Sequence, residues 1–141
     1  MSADLFIDTN VFVYQLDSSD KRKHRIAEGI VRDALVSGRA CISFQVVQEC
    51  LNVALRKAAV PLTPEQARSY LDVVLIPLLQ VQPSPVLYHR TLDVQQRWRF
   101  GFYDSLIIAS ALLAGCTRLL SEDLQDGQRI EGLTVTNPFA G

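Results

Sequence analysis

Apolar and polar positions along this chain follow two periods in alternation. Leu5-Phe6-Ile7 is a brief unbroken apolar run, the pattern of a strand covered on both faces. Ile26, Ala27, Ile30, Val31, Ala34 and Leu35 then recur at helical spacing, and Gly38 stands where a helix C-cap glycine belongs. A second short strand is expected at 40–42, with Ser43 as N-cap of a helix carrying Val47, Leu51 and Ala54 on one face. Thr63-Pro64-Glu65-Gln66 is the clearest helix start, combining an N-cap threonine, a proline at the first helical position and a glutamine at the third. Ala67, Tyr70, Leu71, Val74 and Leu75 continue it. A third strand is predicted at 79–81, after which Ser84-Pro85 opens a helix toward Trp98. Residues 102–114 are apolar on most sides, hence a central helix. Strands at 119–120 and 133–136 complete the series, and Asn137-Pro138 is a stop.

Strands alternating with helices predict a three-layer α/β/α sandwich around a mainly parallel sheet. No repeat or low-complexity linker divides the chain, so residues 1–141 read as one domain. At 141 residues and 15.7 kDa, such a domain buries roughly 68% of its unfolded surface. A hydrophobic fraction of 48% and a charged fraction of 21% rule out disorder for the chain as a whole. No membrane span is expected: the apolar stretch from Leu106 to Cys116 is too short, and the uncharged run from Val73 to His89 is broken by Pro77, Pro83 and Pro85. Met1-Ser2-Ala3-Asp4 carries no secretory signal pattern, so a cytoplasmic location is expected. Cys41, Cys50 and Cys116 are odd in number, widely spaced and set in apolar segments, which predicts reduced, buried thiols. With only His24 and His89 beside them and no C-x-x-C pair, a structural zinc site is not expected, and both histidines read as structural or surface residues.

In a parallel α/β sheet, ligands sit beyond the strand C-terminal ends at a switch in strand order. That rule selects acids. Asp8 directly follows the first strand, and Asp123 follows the fourth through Ser121-Glu122. Asp104 begins the central helix and Glu49 lies in the helix after strand two. Four converging carboxylates would repel one another and raise some of their own pKa values, a problem that a divalent cation removes. Oxygen donors without imidazole or thiolate clusters suit Mg2+ or Mn2+. Such an ion lowers the pKa of a bound water, orients it for in-line attack and offsets charge developing on a phosphodiester. Metal-assisted phosphodiester hydrolysis is the chemistry this set supports, with Asn10 holding a ligand or the water and Ser121 bonding the loop that bears Asp123.

Each acid also has a plain structural reading. Asp104 is a good first-turn acid, Asp8-Thr9-Asn10 fits an Asx-type turn, Glu49 sits at the edge of a polar helix face, and Asp126-Gly127 fits an ordinary turn. Their joint placement at strand and helix ends favours the site.

The segments Asp8-Thr9-Asn10-Val11, Ser43-Phe44-Gln45-Val46-Val47-Gln48-Glu49, Phe102-Tyr103-Asp104-Ser105-Leu106-Ile107 and Leu120-Ser121-Glu122-Asp123-Leu124-Gln125-Asp126-Gly127 resemble those of PIN-domain ribonucleases, above all the VapC-type toxins of bacterial toxin–antitoxin modules. The resemblance spans practically the whole chain, with the segments in the family's order. It implies a five-stranded parallel sheet between helices, a Mg2+ or Mn2+ site and endonucleolytic cleavage of RNA. Asp8, Glu49, Asp104 and Asp123 match the acidic quartet, with Asp8, Asp104 and Asp123 as metal ligands. Asn10 and Ser121 match supporting polar positions, and Asp126 is a further acid beside them. The likeness also implies a homodimer and an antitoxin whose C-terminal segment enters the acidic groove.

Charge modifies this picture little. Fourteen basic residues against 15 acidic give a net charge of −1, so contact with a polyanion must rest on local placement. Lys21-Arg22-Lys23-His24-Arg25 and Arg97-Trp98-Arg99 are the candidates for phosphate or base contacts. The competing readings are a solvated helix face for the first and a core or dimer-interface role for Trp98, Phe100 and Phe102. Tyr103 reads either as a decoy for a general acid or as packing against the element after strand one. Two rival functions remain open: a noncatalytic RNA- or protein-binding module of the same fold, and an α/β phosphohydrolase acting on small esters. The second is weakened by D-T-N in place of a D-x-D nucleophile motif and by the lack of G-x-x-x-x-G-K-[ST] or G-x-G-x-x-G.

Overall fold

The computed structural model describes residues 3–56 and 61–141. β1 (Leu5–Ile7) leads into α1 (Thr9–Leu16) and α2 (Lys21–Ser37), and β2 (Ala40–Ser43) into α3 (Phe44–Arg56). α4 (Pro64–Tyr70) continues through a wider i→i+5 turn at Leu71–Leu75 into the short α5 (Ile76–Leu78), then β3 (Leu79–Val81). α6 (Pro85–Trp98), α7 (Phe102–Leu113), β4 (Arg118–Leu120), β5 (Arg129–Ile130) and β6 (Leu133–Thr136) complete the chain.

The strands form one sheet in the order β3-β2-β1-β4-β6-β5, parallel throughout except for β5 against β6. This is the expected α/β class with one strand more than five. The extra strand is a two-residue edge piece, folded back through a tight turn in which Glu131 takes φ 57° and its carboxylate meets Arg90 at 2.7 Å. So short a strand carries too little apolar periodicity to announce itself.

Several predicted ends are present in the fold. Gly38 terminates α2 at φ 68°, Thr63 and Gln66 make the reciprocal capping box of α4, and the Ser84 hydroxyl accepts from the Leu87 N–H. Ser43 departs from its expected role. It ends β2, its hydroxyl is buried without a hydrogen-bond partner among the described residues, and α3 begins at the next residue. Asp8-Thr9-Asn10 is the N-cap and first turn of α1, with the Asp8 carboxylate accepting from the Thr9 N–H at 2.7 Å.

Phe6, Ile7, Phe12, Ile42, Leu75, Leu87, Ile108, Leu119, Ile130 and Leu133 are fully buried, and α7 is buried over Ser105–Ala111 as its all-round apolarity required. The three cysteines are free thiols inside this core, with Cys41 Sγ 3.6 Å from Cys116 Sγ. No helix among the described residues is long and apolar enough to cross a membrane.

Candidate active site

Strand order turns in opposite directions on either side of β1: β2 and β3 lie to one side, β4 and β6 to the other. The crevice beyond the C-terminal ends of β1 and β4 is therefore the topological switch point where α/β sheets bind ligands. Parallel pairing puts Ile7 opposite Leu120, and the Asp8 N–H donates to the Leu120 carbonyl at 2.9 Å. The chains leaving both strands are thus held together as they enter the crevice.

Asp8 sits at the centre of the crevice network. Its carboxylate is buried, accepting from Thr9 N–H on one oxygen and from the Ser121 hydroxyl, at 2.8 Å, on the other. The same Ser121 oxygen accepts from the Asp123 N–H at 3.2 Å, so one hydroxyl ties the β4 loop to Asp8. On the other side Thr9 Oγ1 donates to Glu49 Oε1 at 2.8 Å, tying α3 to α1. Asp104 occupies the first turn of α7, where the helix dipole favours an acid.

Electrostatics link these positions. Burial pushes the Asp8 carboxyl up to about 6 despite its two hydrogen bonds, and the negative charges of Asp123 and Glu49 add to the rise. Burial and the Asp123 charge likewise raise Asp104. Asp8 thus feels Asp123 and Glu49, and Asp104 feels Asp123, although among the described residues no three of these carboxylates stand close enough to hold one ion together. Their joint repulsion is the condition that a cation relieves.

A cleft of about 340 Å³ opens here, lined by Thr9, Asn10, Val13, Tyr14, Glu49, Asn52, Val53 and Asp123. Both amide atoms of Asn10 are buried and unpartnered among the described residues, a costly state unless a ligand or water engages them. Thr9 and Asn52 line the cleft without a signal of their own in the sequence, although Thr9 lies inside the D-T-N segment. Asp126 lies elsewhere in the network: its Oδ1 accepts from the Asn137 N–H at 2.8 Å, anchoring the end of β6. A larger cleft of about 430 Å³ sits at the opposite edge of the sheet, where Asp4 pairs with Arg39 at 2.6 Å, and it contains none of the four acids.

Glu122, next to Asp123, is a functional neighbour that sequence reasoning does not reach. Its carboxylate accepts from the Tyr14 hydroxyl and from Lys23 Nζ, and the Lys23 ammonium lies 4.7 Å from the Tyr14 ring centroid. Tyr14 also packs edge-on against Phe139 at 4.9 Å, while Arg22 donates to the Phe139 and Gly141 carbonyls. Two cations of the basic run 21–25, Arg22 and Lys23, thus brace the C-terminal tail and the β4 loop. Tyr14→Phe, which keeps the ring and deletes the hydroxyl's two bonds, one donated to Glu122 and one accepted from Lys23 Nζ, is expected to lower unfolding stability by about 1–2 kcal/mol in urea denaturation.

Tyr103 does not pack against α1, contrary to one of its two expected roles. Its carbonyl accepts from Gln45 Nε2 at 3.3 Å, and its side chain stands in solvent. Trp98 and Phe100 pack partly against the core, whereas Phe102 is exposed rather than part of it.

The profile of the family described as PIN domain matches residues 5–129. No curated protein matches the sequence. Solved structures with the same fold include a toxin–antitoxin complex from Klebsiella pneumoniae (19% identity, 95% of this chain and 97% of that one, TM-score 0.65). VapBC2 from Rickettsia felis bound to a promoter DNA fragment (20%, 94% and 97%, 0.63) is similar to about the same degree. VapC20 from Mycobacterium tuberculosis, a toxin that cleaves the sarcin–ricin loop, is also similar (16%, 82% and 86%, 0.58).

Proposed function

The chain belongs to the PIN-domain family, and from that premise we propose that it is a Mg2+- or Mn2+-dependent endoribonuclease, the toxin of a toxin–antitoxin pair, working in the cytoplasm as a homodimer. The observation that supports the reading is the placement of Asp8 and Asp123 just beyond β1 and β4 at the switch point of the sheet, with Glu49 bonded to Thr9 beside Asp8 and Asp104 raised by burial and by the Asp123 charge.

The donor set fits a hard cation. It is all oxygen, its central carboxylate is buried and strained by like charge, and Asn10 adds unpartnered amide atoms. Among the described residues no three His, Cys, Asp or Glu side chains close into a ready cage. Mg2+ commonly keeps several waters rather than a full protein shell. Asp8, Asp104 and Asp123 would hold it, and when bound it supplies an activated water and offsets charge on the phosphodiester.

The chain's own groups do the rest. Ser121 fixes the Asp8 carboxylate and the Asp123 backbone in one arrangement, which sets the position of both acids before substrate arrives. Thr9 orients Glu49, whose other oxygen is left to position a water or a second ion. Asn10 offers a donor and an acceptor to the same cleft.

The test is incubation of the intact protein with total cellular RNA in Mg2+, Mn2+ or EDTA, with cut sites mapped. Discrete cuts that need metal are expected. RNA retention without cutting would instead establish a binding module, and turnover of a small phosphomonoester alone would establish the phosphohydrolase reading. An antitoxin partner is tested by co-purification with the product of an adjacent small open reading frame.

A further inference from the structure

The first turn of α7 carries more than Asp104. Phe102 and Tyr103 occupy its first two positions and are 38% and 68% exposed, their rings in edge-to-face contact at 5.3 Å and 89°. Neither ring is needed by the core, which Trp98, Phe100 and the buried face of α7 already complete. Tyr103 stands largely in water and Phe102 partly so, directly before Asp104 in the chain, and rings left exposed there call for an occupant. The backbone beneath them is fixed, since Gln45 donates to the Tyr103 carbonyl from α3, the helix that bears Glu49.

The surroundings identify that occupant by charge. Arg97, in the last turn of α6, and Arg99, which caps that helix, precede the pair, and neither enters an ion pair among the described residues. Arg97 lies 5.6 Å from the Trp98 ring centroid, and Arg99 takes φ 64°, turning the chain sharply between the two helices. Exposed rings flanked by uncompensated guanidinium groups match a nucleic acid strand, with π faces for bases and cations for the phosphates between them. A second copy of the chain is a poorer fit, because an isologous contact through this patch would set the arginines of one copy against those of the other.

We propose that Phe102 and Tyr103 form a stacking platform for one or two unpaired RNA bases next to the scissile phosphate, with Arg97 and Arg99 holding the flanking phosphates. This rests on the nuclease reading and names the side chains that hold an unpaired strand beside that site. In a duplex the base faces are already stacked and no exposed ring reaches them. The platform makes the enzyme selective for loops, bulges and ends without reading a base edge.

The experiment uses the full chain in EDTA, where no cutting occurs, and a short single-stranded RNA carrying 2-aminopurine, whose fluorescence is quenched by stacking. Quenching by the native protein is expected, together with much weaker binding of the same RNA annealed to its complement. Tyr103→Ala and Phe102→Ala should each weaken single-strand binding about tenfold or more and restore fluorescence. Tyr103→Leu should do the same and Tyr103→Phe should not, which separates stacking from mere apolarity. In Mg2+ the alanine variants should raise KM for single-stranded RNA more than they lower kcat. The proposal is overturned if the native protein gives no quenching, if the variants bind as tightly as it does, or if they dissociate an oligomer in sedimentation with RNA affinity unaltered. Quenching without any metal-dependent cleavage would instead remove the nuclease assignment and leave the platform standing.

Discussion

Asp8→Asn is expected to abolish metal-dependent RNA cleavage and, in the metal-free protein above pH 6, to make the fold more stable. Both effects come from one buried charge. The carboxyl is nearly inaccessible at 6% exposure and its pKa is pushed up to about 6, against 3.8 for an ordinary aspartate. A raised carboxyl favours the folded state while protonated, so its contribution is fully present below about pH 4. It erodes as pH rises, and beyond about pH 6 it is a constant penalty. A displacement of this size corresponds to roughly 3 kcal/mol. Asparagine is uncharged, keeps an oxygen for the Thr9 N–H and exchanges the Ser121 hydrogen bond for a weaker one of about 1 kcal/mol. The net gain is therefore about 1–2 kcal/mol at pH 8 and close to none at pH 4, read by urea unfolding in EDTA. Cleavage, which needs the lost charge to hold a cation, should fall by about a thousandfold or more. A variant that cuts like the native protein, or one less stable at pH 8, would remove Asp8 from its assigned role.

This opposition between stability and chemistry explains why the site is readable from sequence at all. Asp8 and Asp104 each satisfy a local rule, one as a helix N-cap and the other as a first-turn acid, so neither looks anomalous by itself. Position is what makes Asp8 and Asp123 legible: a parallel sheet sends its strands' C-terminal ends to one edge, and these two acids come just after β1 and β4, whereas Asp104 is marked only by its place at the start of α7. Strand and cap signals such as Gly38, Thr63 and Ser84 are equally local, and the fold they predict is the one present. The basic run 21–25 shows the limit of such reading. Its pattern is that of a phosphate-binding patch or a solvated face, yet Lys23 meets Glu122 and Arg22 meets the backbone of Phe139 and Gly141, partners about a hundred residues away. No local pattern encodes a contact of that span. Helix α1 escapes sequence reading for a related reason: it buries only Val11 and Phe12, adjacent positions that trace no helical stripe. Phe102 and Tyr103 read as packing residues because aromatic side chains in an apolar segment usually pack, and only coordinates distinguish a ring inside the core from one above it.

Adding Mg2+ to the metal-free protein is expected to raise its melting temperature strongly at pH 8 and much less at pH 5. A ligand that binds only the folded state stabilises it by about 2.7 kcal/mol at a hundred times its Kd. Two of the acids that would take the cation, Asp8 and Asp104, are also groups that hold protons more tightly on folding. With the Asp8 carboxyl at about 6 and Asp104 raised as well, protons compete with the metal throughout the range just below neutrality. Apparent affinity should therefore fall about tenfold for each pH unit below 6 through Asp8 alone, and more steeply if Asp104 releases its proton in the same step. Asp8→Asn should bind Mg2+ more weakly at every pH and lose the part of this dependence due to Asp8. Asp104→Asn should flatten only the remainder, since its carboxylate is the more exposed of the two. Calorimetric titration at pH 5, 6, 7 and 8 separates the two contributions. Mg2+ affinity that does not vary with pH in the native protein would mean that the ion is taken up somewhere other than at these carboxylates. The cleavage and stability effects of Asp8→Asn would then need separate causes.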